Sequence, residues 1–421
     1  MDSNKLKILV CAVLITFGIV VVFAGIRMFE KKGEEEPIDD IRKPVQRNDV
    51  KVDDFTYSLL KLRVNDENLV YSPLSIKYAL SMLKDGAAGN TYDELNNLIG
   101  NLSLTKYTNI ENVLSVANSV FIRDTYKNYV LESYIDKVKN GYDAEIIFDE
   151  FKDAKAVNEW IANKTFNIIK NMLNDDLFKD DTLEMILVNA LAIDMEWYEQ
   201  FEPEATYQSE FTKSNGEKMN TAMMHNSVMN NVYKYYKDDM YTAVSMPLKN
   251  YNGTELEFIA VLPETVSLKD FIVDDLFDSN LSNILNNLHN DGVKVSVSIP
   301  RFEFKYGFSL VDDLKVLGVK EAFDRIDANF DNMSRKGLYV GDVLHKADIK
   351  FSEKGIKAAA ATVILMYDKN AIEEPVETVY LNFNKPFMYV IRDKNTGEVW
   401  FTGTVYEPLS WDEAKDDYEY R

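Results

Sequence analysis

Cysteine and histidine are both scarce in this chain. One cysteine, Cys11, occurs in 421 residues. No intrachain disulfide can form, and a cysteine-based zinc cluster is excluded. An exported form would have to be stable without crosslinks. Cys11 is also a poor lipid-attachment site, because Val10 stands before it where a small residue is wanted. The three histidines, His225, His289 and His345, are far apart, and none lies in a His-Glu-x-x-His pattern. A Gly-x-Ser-x-Gly elbow, a P-loop and a Gly-x-Gly-x-x-Gly turn are missing too. Catalysis therefore has no positive support, the chain is not expected to be an enzyme, and no cofactor or metal is expected. Basic charge is in deficit, with 47 Lys and Arg against 69 Asp and Glu and a net charge of -22. Such a chain repels phosphate backbones, which argues against a nucleic-acid partner.

Hydrophobic residues make up 46% of the chain, enough for a sizeable core. One apolar run stands apart. Lys5 and Lys7 precede Ile8 to Ile26, and Arg27, Lys31 and Lys32 follow. As a helix this run would be roughly 28 Å long, close to the hydrocarbon thickness of a bilayer. It is expected to be an uncleaved membrane anchor. A cleaved signal peptide is the alternative, with Val22-Phe23-Ala24 near the cleavage site, although the run is long for one. Either way the remainder is expected to be extracellular or at the cell surface. The lack of cysteine and the anchor are compatible with a bacterial surface protein.

Residues 27–49 are dense in charge, with Glu34-Glu35-Glu36-Pro37 and Asp39-Asp40, and read as a solvated linker. No comparable linker interrupts residues 50–409, which read as one domain. The acidic residues 410–421 read as an exposed tail. Leu74, Tyr78, Leu80, Met82 and Leu83 have helical spacing up to Asp85-Gly86. Trp160, Ile161, Phe166, Ile168 and Ile169 predict another helix. Val293, Val295, Val297 and Ile299 alternate with polar residues as a half-buried strand, and Phe302 and Phe304 continue the alternation past Pro300. Thr378–Ile391 and Val399–Val405 predict two strands, with Asn395-Thr396-Gly397 as a hairpin signal. Helices early and strands late, without βαβ alternation, indicate an α+β domain on antiparallel sheets.

Residues 347–372 carry the most unusual pattern. Ala347, Ile349 and Phe351 alternate with Asp348, Lys350 and Ser352. Glu353-Lys354-Gly355-Ile356-Lys357 comes next, then Ala358, Ala359, Ala360 and Ala361, then Thr362 to Tyr367. Taken locally, this is a buried alanine-rich helix or an internal strand. It also suits a loop that must become a strand. Small side chains would slide between existing strands, and neither face carries a charge after Lys357. Apolar side chains entering a sheet gain roughly 1.5–3 kcal/mol each when fully buried.

Four segments decide between these readings. Asn68-Leu69-Val70-Tyr71-Ser72-Pro73-Leu74-Ser75 is followed by Gly86-Ala87-Ala88-Gly89-Asn90-Thr91. Leu187-Val188-Asn189-Ala190 is followed by Trp197 and Phe201-Glu202-Pro203. His345-Lys346-Ala347 leads into the alanine run. Phe383-Asn384-Lys385-Pro386-Phe387 precedes Phe401-Thr402-Gly403 and Pro408. In this order they resemble the serpins over nearly the whole domain.

The resemblance implies three mainly antiparallel β-sheets, about nine helices and an exposed reactive-centre loop. It implies a monomeric suicide-substrate inhibitor whose partner is a serine protease, held as an acyl complex while the cut loop inserts into the main sheet. It places the hinge at Glu353, Gly355, Ile356, Ala358, Ala359, Ala360, Ala361 and Thr362. Counting from Gly355 gives a scissile bond between Lys369 and Asn370, which implies trypsin-like targets. A shifted register would bring Tyr367, Met366 or Ala371 to that place and imply chymotrypsin-like or elastase-like targets. A non-inhibitory serpin-fold binding protein is the other alternative, and the alanine run argues against it. Ser72, Ser75, Asn189 and His345 match the family's shutter, a polar cluster under the strands that part. Trp197 and Arg301 match its breach, where insertion starts, and Arg301 is expected to form a salt bridge with Glu353 worth under about 1 kcal/mol if exposed. Two departures stand out. Ile356 replaces a small residue, and Asp194-Met195 replaces Lys-Gly before Trp197.

Overall fold

The computed structural model describes residues 15–25, 55–101, 104–227, 232–356 and 377–415. In chain order the first elements are β1 (Ile15–Gly25), α1 (Phe55–Arg63), β2 (Leu69–Tyr71), α2 (Pro73–Gly86), α3 (Gly89–Ile99), β3 (Leu114–Arg123), α4 (Glu132–Tyr142), β4 (Glu145–Asp149) and α5 (Lys155–Lys164). Then come β5 (Leu183–Ile193), β6 (Met195–Glu196), β7 (Thr206–Thr212), β8 (Lys218–Ser227), β9 (Lys234–Lys237), β10 (Tyr241–Pro247), β11 (Leu256–Pro263), α6 (Leu268–Val273) and α7 (Phe277–Asn286). The last are β12 (Lys294–Pro300), β13 (Phe302–Ser309), α8 (Val311–Val316), β14 (Leu338–Phe351), β15 (Gly355–Ile356), β16 (Thr378–Asn382), β17 (Phe387–Asp393), β18 (Val399–Val405) and α9 (Trp411–Ala414).

The strands form three large sheets and a short ribbon. The central sheet has the order β13-β14-β1-β5-β3-β4, and a second six-stranded sheet has the order β2-β18-β17-β11-β10-β9. A four-stranded sheet runs β16-β12-β8-β7, and β15 pairs with β6 alone. Pairing is antiparallel except between β3 and β4 and between β12 and β16. The expected mainly antiparallel α+β architecture is therefore what the chain adopts. The core lies between the two six-stranded sheets, where Leu187 and Val343 of one and Ile259 and Val390 of the other meet Ile76, Leu80 and Leu83 of α2. Strand β5 is buried along its whole length, as its nearly continuous apolar sequence requires.

Helix α2 starts where its sequence says it should. The Ser72 hydroxyl caps it by accepting from the Ser75 N–H, and Pro73 stands at the first turn, where a missing N–H costs nothing. Gly86 closes it against Met333, whose Cβ would lie 2.8 Å from any added methyl group.

Three expectations need correction. The helix through Trp160 ends at Lys164 rather than continuing to Ile169. The Thr165 hydroxyl donates to the Ile161 carbonyl at 2.7 Å, and Phe166 and Asn167 turn left-handed at φ 52° and 62°. The expected strand Thr378–Ile391 is two strands in different sheets, β16 beside β12 and β17 beside β11. Pro386 has no N–H to give a central ladder, so the chain breaks there. In the same way Phe302 and Phe304 belong to the central sheet, while the alternation before Pro300 belongs to the four-stranded one.

The third correction concerns the N-terminal run. The sequence predicts a membrane-spanning helix over residues 8–26, yet Ile15–Gly25 is a strand inside the central sheet. Its β-branched residues Ile15, Thr16, Ile19, Val20, Val21 and Val22 pack well on a pleated sheet and lose rotamer freedom in a helix. Among the described residues no helix is long and apolar enough to cross a membrane. The ends of the run, residues 8–14 and 26, lie outside the described residues, as do the linker residues 27–49.

Candidate functional site, a strand slot and its hinge

Strands β5 and β14 are not hydrogen-bonded to each other. One strand-width separates them, and β1 lies in it, antiparallel to both. At one end of this slot β14 turns back through Ser352–Gly355 into β15, which pairs with β6, so that Gly355 faces Glu196 and Ile356 faces Met195. Gly355 has φ +132°, and a Cβ there would lie 2.6 Å from Met195 O, Glu196 Cα and Trp197 N. All three are backbone atoms that no side-chain rotation can move, so only glycine fits.

The turn is anchored from below. The Trp197 indole is buried against Phe351 and Phe258, with ring centroids at 5.2 and 5.9 Å, and its Nε1 donates to the Ser352 carbonyl at 2.8 Å. Glu353 sits 3.8 Å from Arg301 Nε, and its other oxygen accepts from the Thr206 hydroxyl at 2.9 Å. Both charged side chains are at most 3% exposed. The expected pair is therefore a buried one, and the figure for an exposed pair does not apply to it. Asp194 and Met195, the departure from the family pattern, form an ordered part of this site. Asp194 N–H donates to the Val113 carbonyl at 2.7 Å, and Met195 lies in β6.

Halfway along the slot a neutral polar cluster crosses beneath it. Ser72 N–H donates to His345 Nε2 at 3.2 Å. The Ser75 hydroxyl donates to Asn189 Oδ1, and Asn189 Nδ2 donates to Asn118 Oδ1 at 2.8 Å. Asn118 Nδ2 ends the chain on the Tyr142 carbonyl at 2.8 Å. His345 belongs to β14 and Asn189 to β5, and both face Ile19 of β1 in register. The cluster thus bridges the two strands that border the slot by way of α2. Two carboxyls also lie on β14. Burial pushes Asp348 and Asp342 above the usual carboxylate range, opposed by Lys305 at 3.3 Å and by the Ser309 hydroxyl respectively.

Of the residues singled out in the sequence, Glu353, Gly355, Arg301 and Trp197 gather at the hinge, and Ser72, Ser75, Asn189 and His345 gather at the middle. For Ile356 the backbone alone is described. Ala358, Ala359, Ala360, Ala361, Thr362, Met366, Tyr367, Lys369, Asn370 and Ala371 lie outside the described residues. Sequence reasoning missed Asn118 and Thr206. A lone amide within the apolar strand Leu114–Arg123 is the signal that points to Asn118.

One strand, β1, thus lies between β5 and β14, a glycine turn stands at the end of that place, and a polar cluster lies beneath it. The serpin (serine protease inhibitor) family model matches residues 51–408, and the chain belongs to that family. Neuroserpin of Gallus gallus is 29% identical over 393 residues, covering 86% of this chain and 92% of the relative. An uncharacterized serpin-like protein of Methanosarcina mazei is 29% identical over 374 residues, covering 84% of each. Among solved structures, the thermophilic serpin tengpin in its native state aligns with a TM-score of 0.69 at 26% identity, covering 87% of this chain and 97% of that one.

Proposed function

We propose that this chain is a suicide-substrate inhibitor of serine-type endopeptidases. The protease serine attacks the Lys369 carbonyl carbon, the bond to Asn370 breaks, and the Asn370 amine leaves with the proton. Lys369 is then held as an ester on the serine. Entry of the freed loop between β5 and β14 carries the ester away from its starting place before water cleaves it. One observation carries the reading. β5 and β14 present ladders to a single intervening antiparallel strand, and the hinge strand β15 is already paired at the end of that gap. A central position would satisfy the backbone of the entering strand on both sides.

Lys369 makes trypsin-like proteases the first targets to test, since their specificity pocket holds a carboxylate. Mixing the full chain with trypsin should give a band at the summed mass on a denaturing gel. Clean cleavage with trypsin left fully active would sink the Lys369 assignment. The same outcome with elastase-like and chymotrypsin-like proteases would sink inhibition itself. A second reading, a non-inhibitory serpin, has one observation in its favour, namely that the gap is filled by Ile15–Gly25. The two readings part on whether that filling strand can leave.

A further inference from the structure

We infer that Ile15–Gly25 is an internal plug, a strand that holds the slot against the chain's own reactive loop and must be expelled before the loop enters. The inference rests on the inhibitory reading above for the loop's destination, and on the sheet itself for the plug.

Strand β1 fits as a resident rather than as a passer-by. It pairs residue for residue with β5 from Ile193 to Leu183 and with β14 from Asp348 to Leu338, with one irregularity on each side. It carries no charge, and Val21 is fully buried in the core with Leu187 and Val343. A central strand bordered on both sides wants a continuous apolar sequence, and this run supplies one. Residues 26–54 span about 95 Å when extended, ample chain to return from Gly25 to α1.

The competition follows from register. β15 pairs Ile356 with Met195, and β1 pairs Ile15 with Ile193. The hinge thus stops two residues short of the position where β1 begins. Continued in the same register, residue 358 would face Ile193 and residue 362 would face Asn189. Those places are held by Ile15 and Ile19. Two strands cannot share one ladder, so each residue the loop inserts displaces one residue of β1. The same Ile19 lies between Asn189 and His345, so the plug also keeps apart the two strands that the polar latch bridges.

A disulfide lock tests this in the full chain, with Cys11→Ser so that only the introduced thiols are present. Val20 and Leu344 are direct partners. Their Cα atoms should be about 4.5–5.5 Å apart, within the range of about 4.4–6.8 Å that a disulfide spans. Val20→Cys with Leu344→Cys should therefore oxidise to an intrachain bond seen by mass spectrometry. Val20→Cys with Val343→Cys should not, because adjacent strand residues point to opposite faces. Gly18→Cys with Lys346→Cys is a second direct pair, should the first disturb folding. The oxidised lock should lose the trapped protease complex and give cleaved chain only, and reduction should restore trapping. Failure of both direct pairs to oxidise overturns the plug while leaving inhibition intact. Equal trapping by locked and reduced chains overturns the competition. If the lock forms and neither form traps any serine protease, the plug stands and the inhibitory reading falls.

Discussion

Where the hinge enters the sheet, Trp197, Arg301 and Glu353 form a dry, partly charged joint. Halfway along the slot, Ser72, Ser75, Asn189, Asn118 and His345 form a chain of neutral hydrogen bonds. The two clusters border the same gap but resist opening differently. Parting the middle exchanges neutral hydrogen bonds for others, worth about 0.5–1.5 kcal/mol each. Disturbing the joint takes a buried charge away from its opposite partner, which costs several kcal/mol per ion. On the inhibitory reading proposed above, the middle is a latch that reforms around an incoming strand, and the joint is a pivot that stays whole while the strand turns through Gly355.

Removing one partner of the ion pair should break this contrast most severely. Glu353→Ala or Arg301→Ala leaves the other charge buried, and each should cost about 3–5 kcal/mol in urea unfolding. The double variant should cost clearly less than the sum of the two. Equal and small losses in both single variants would mean that the joint is no stiffer than the latch.

At the latch the expected losses are smaller. Ser75→Ala leaves the Asn189 carbonyl oxygen without its Ser75 donor and should cost about 1–3 kcal/mol. Asn118→Ala should cost a similar amount by releasing the Asn189 amide. Because the three side chains form one network, Ser75→Ala in the Asn118→Ala background should cost less than in the wild type. Additive losses would show that Ser75 and Asn118 act separately and not as one latch.

Much of this arrangement is legible in the residues. The capping Ser72-Pro73 places α2, the alternation around Val295 and Val297 places β12, and Asn395-Thr396-Gly397 places the β17–β18 turn. Motif order placed Asn189, His345 and Trp197 on segments that converge. The remainder depends on facts that only packing supplies. Alternation continues from β12 into β13 while the chain changes sheets, so periodicity alone cannot say which face is shared. Charge suggests exposure, yet Arg301 and Glu353 are buried beside each other. Hydropathy alone reads Ile8–Ile26 as membrane-spanning. The β-branched residues within it were the signal for a strand, but the gap that receives them is made by β5 and β14, more than 150 residues further along.

The smallest effect should come from a histidine that belongs to neither cluster, and it sharpens the contrast by serving as its reference. His225 lies on β8, stacked on Tyr207 at 4.0 Å, with Nδ1 2.7 Å from the Ser298 hydroxyl. Its Nε2 is buried without a hydrogen-bond partner among the described residues. Burial lowers its pKa below the ordinary value of 6.5. The unfolded chain then binds a proton more readily than the folded one. The stability this group contributes is fully present above pH 6.5 and is lost as pH falls through that value toward the lowered one. His225→Gln should flatten this part of the stability profile between pH 7.5 and pH 5.5 while leaving the trapped fraction of protease unchanged. If instead it altered trapping as strongly as Ser75→Ala, the four-stranded sheet would have to be counted as part of the moving machinery, and the division between pivot and latch would be incomplete.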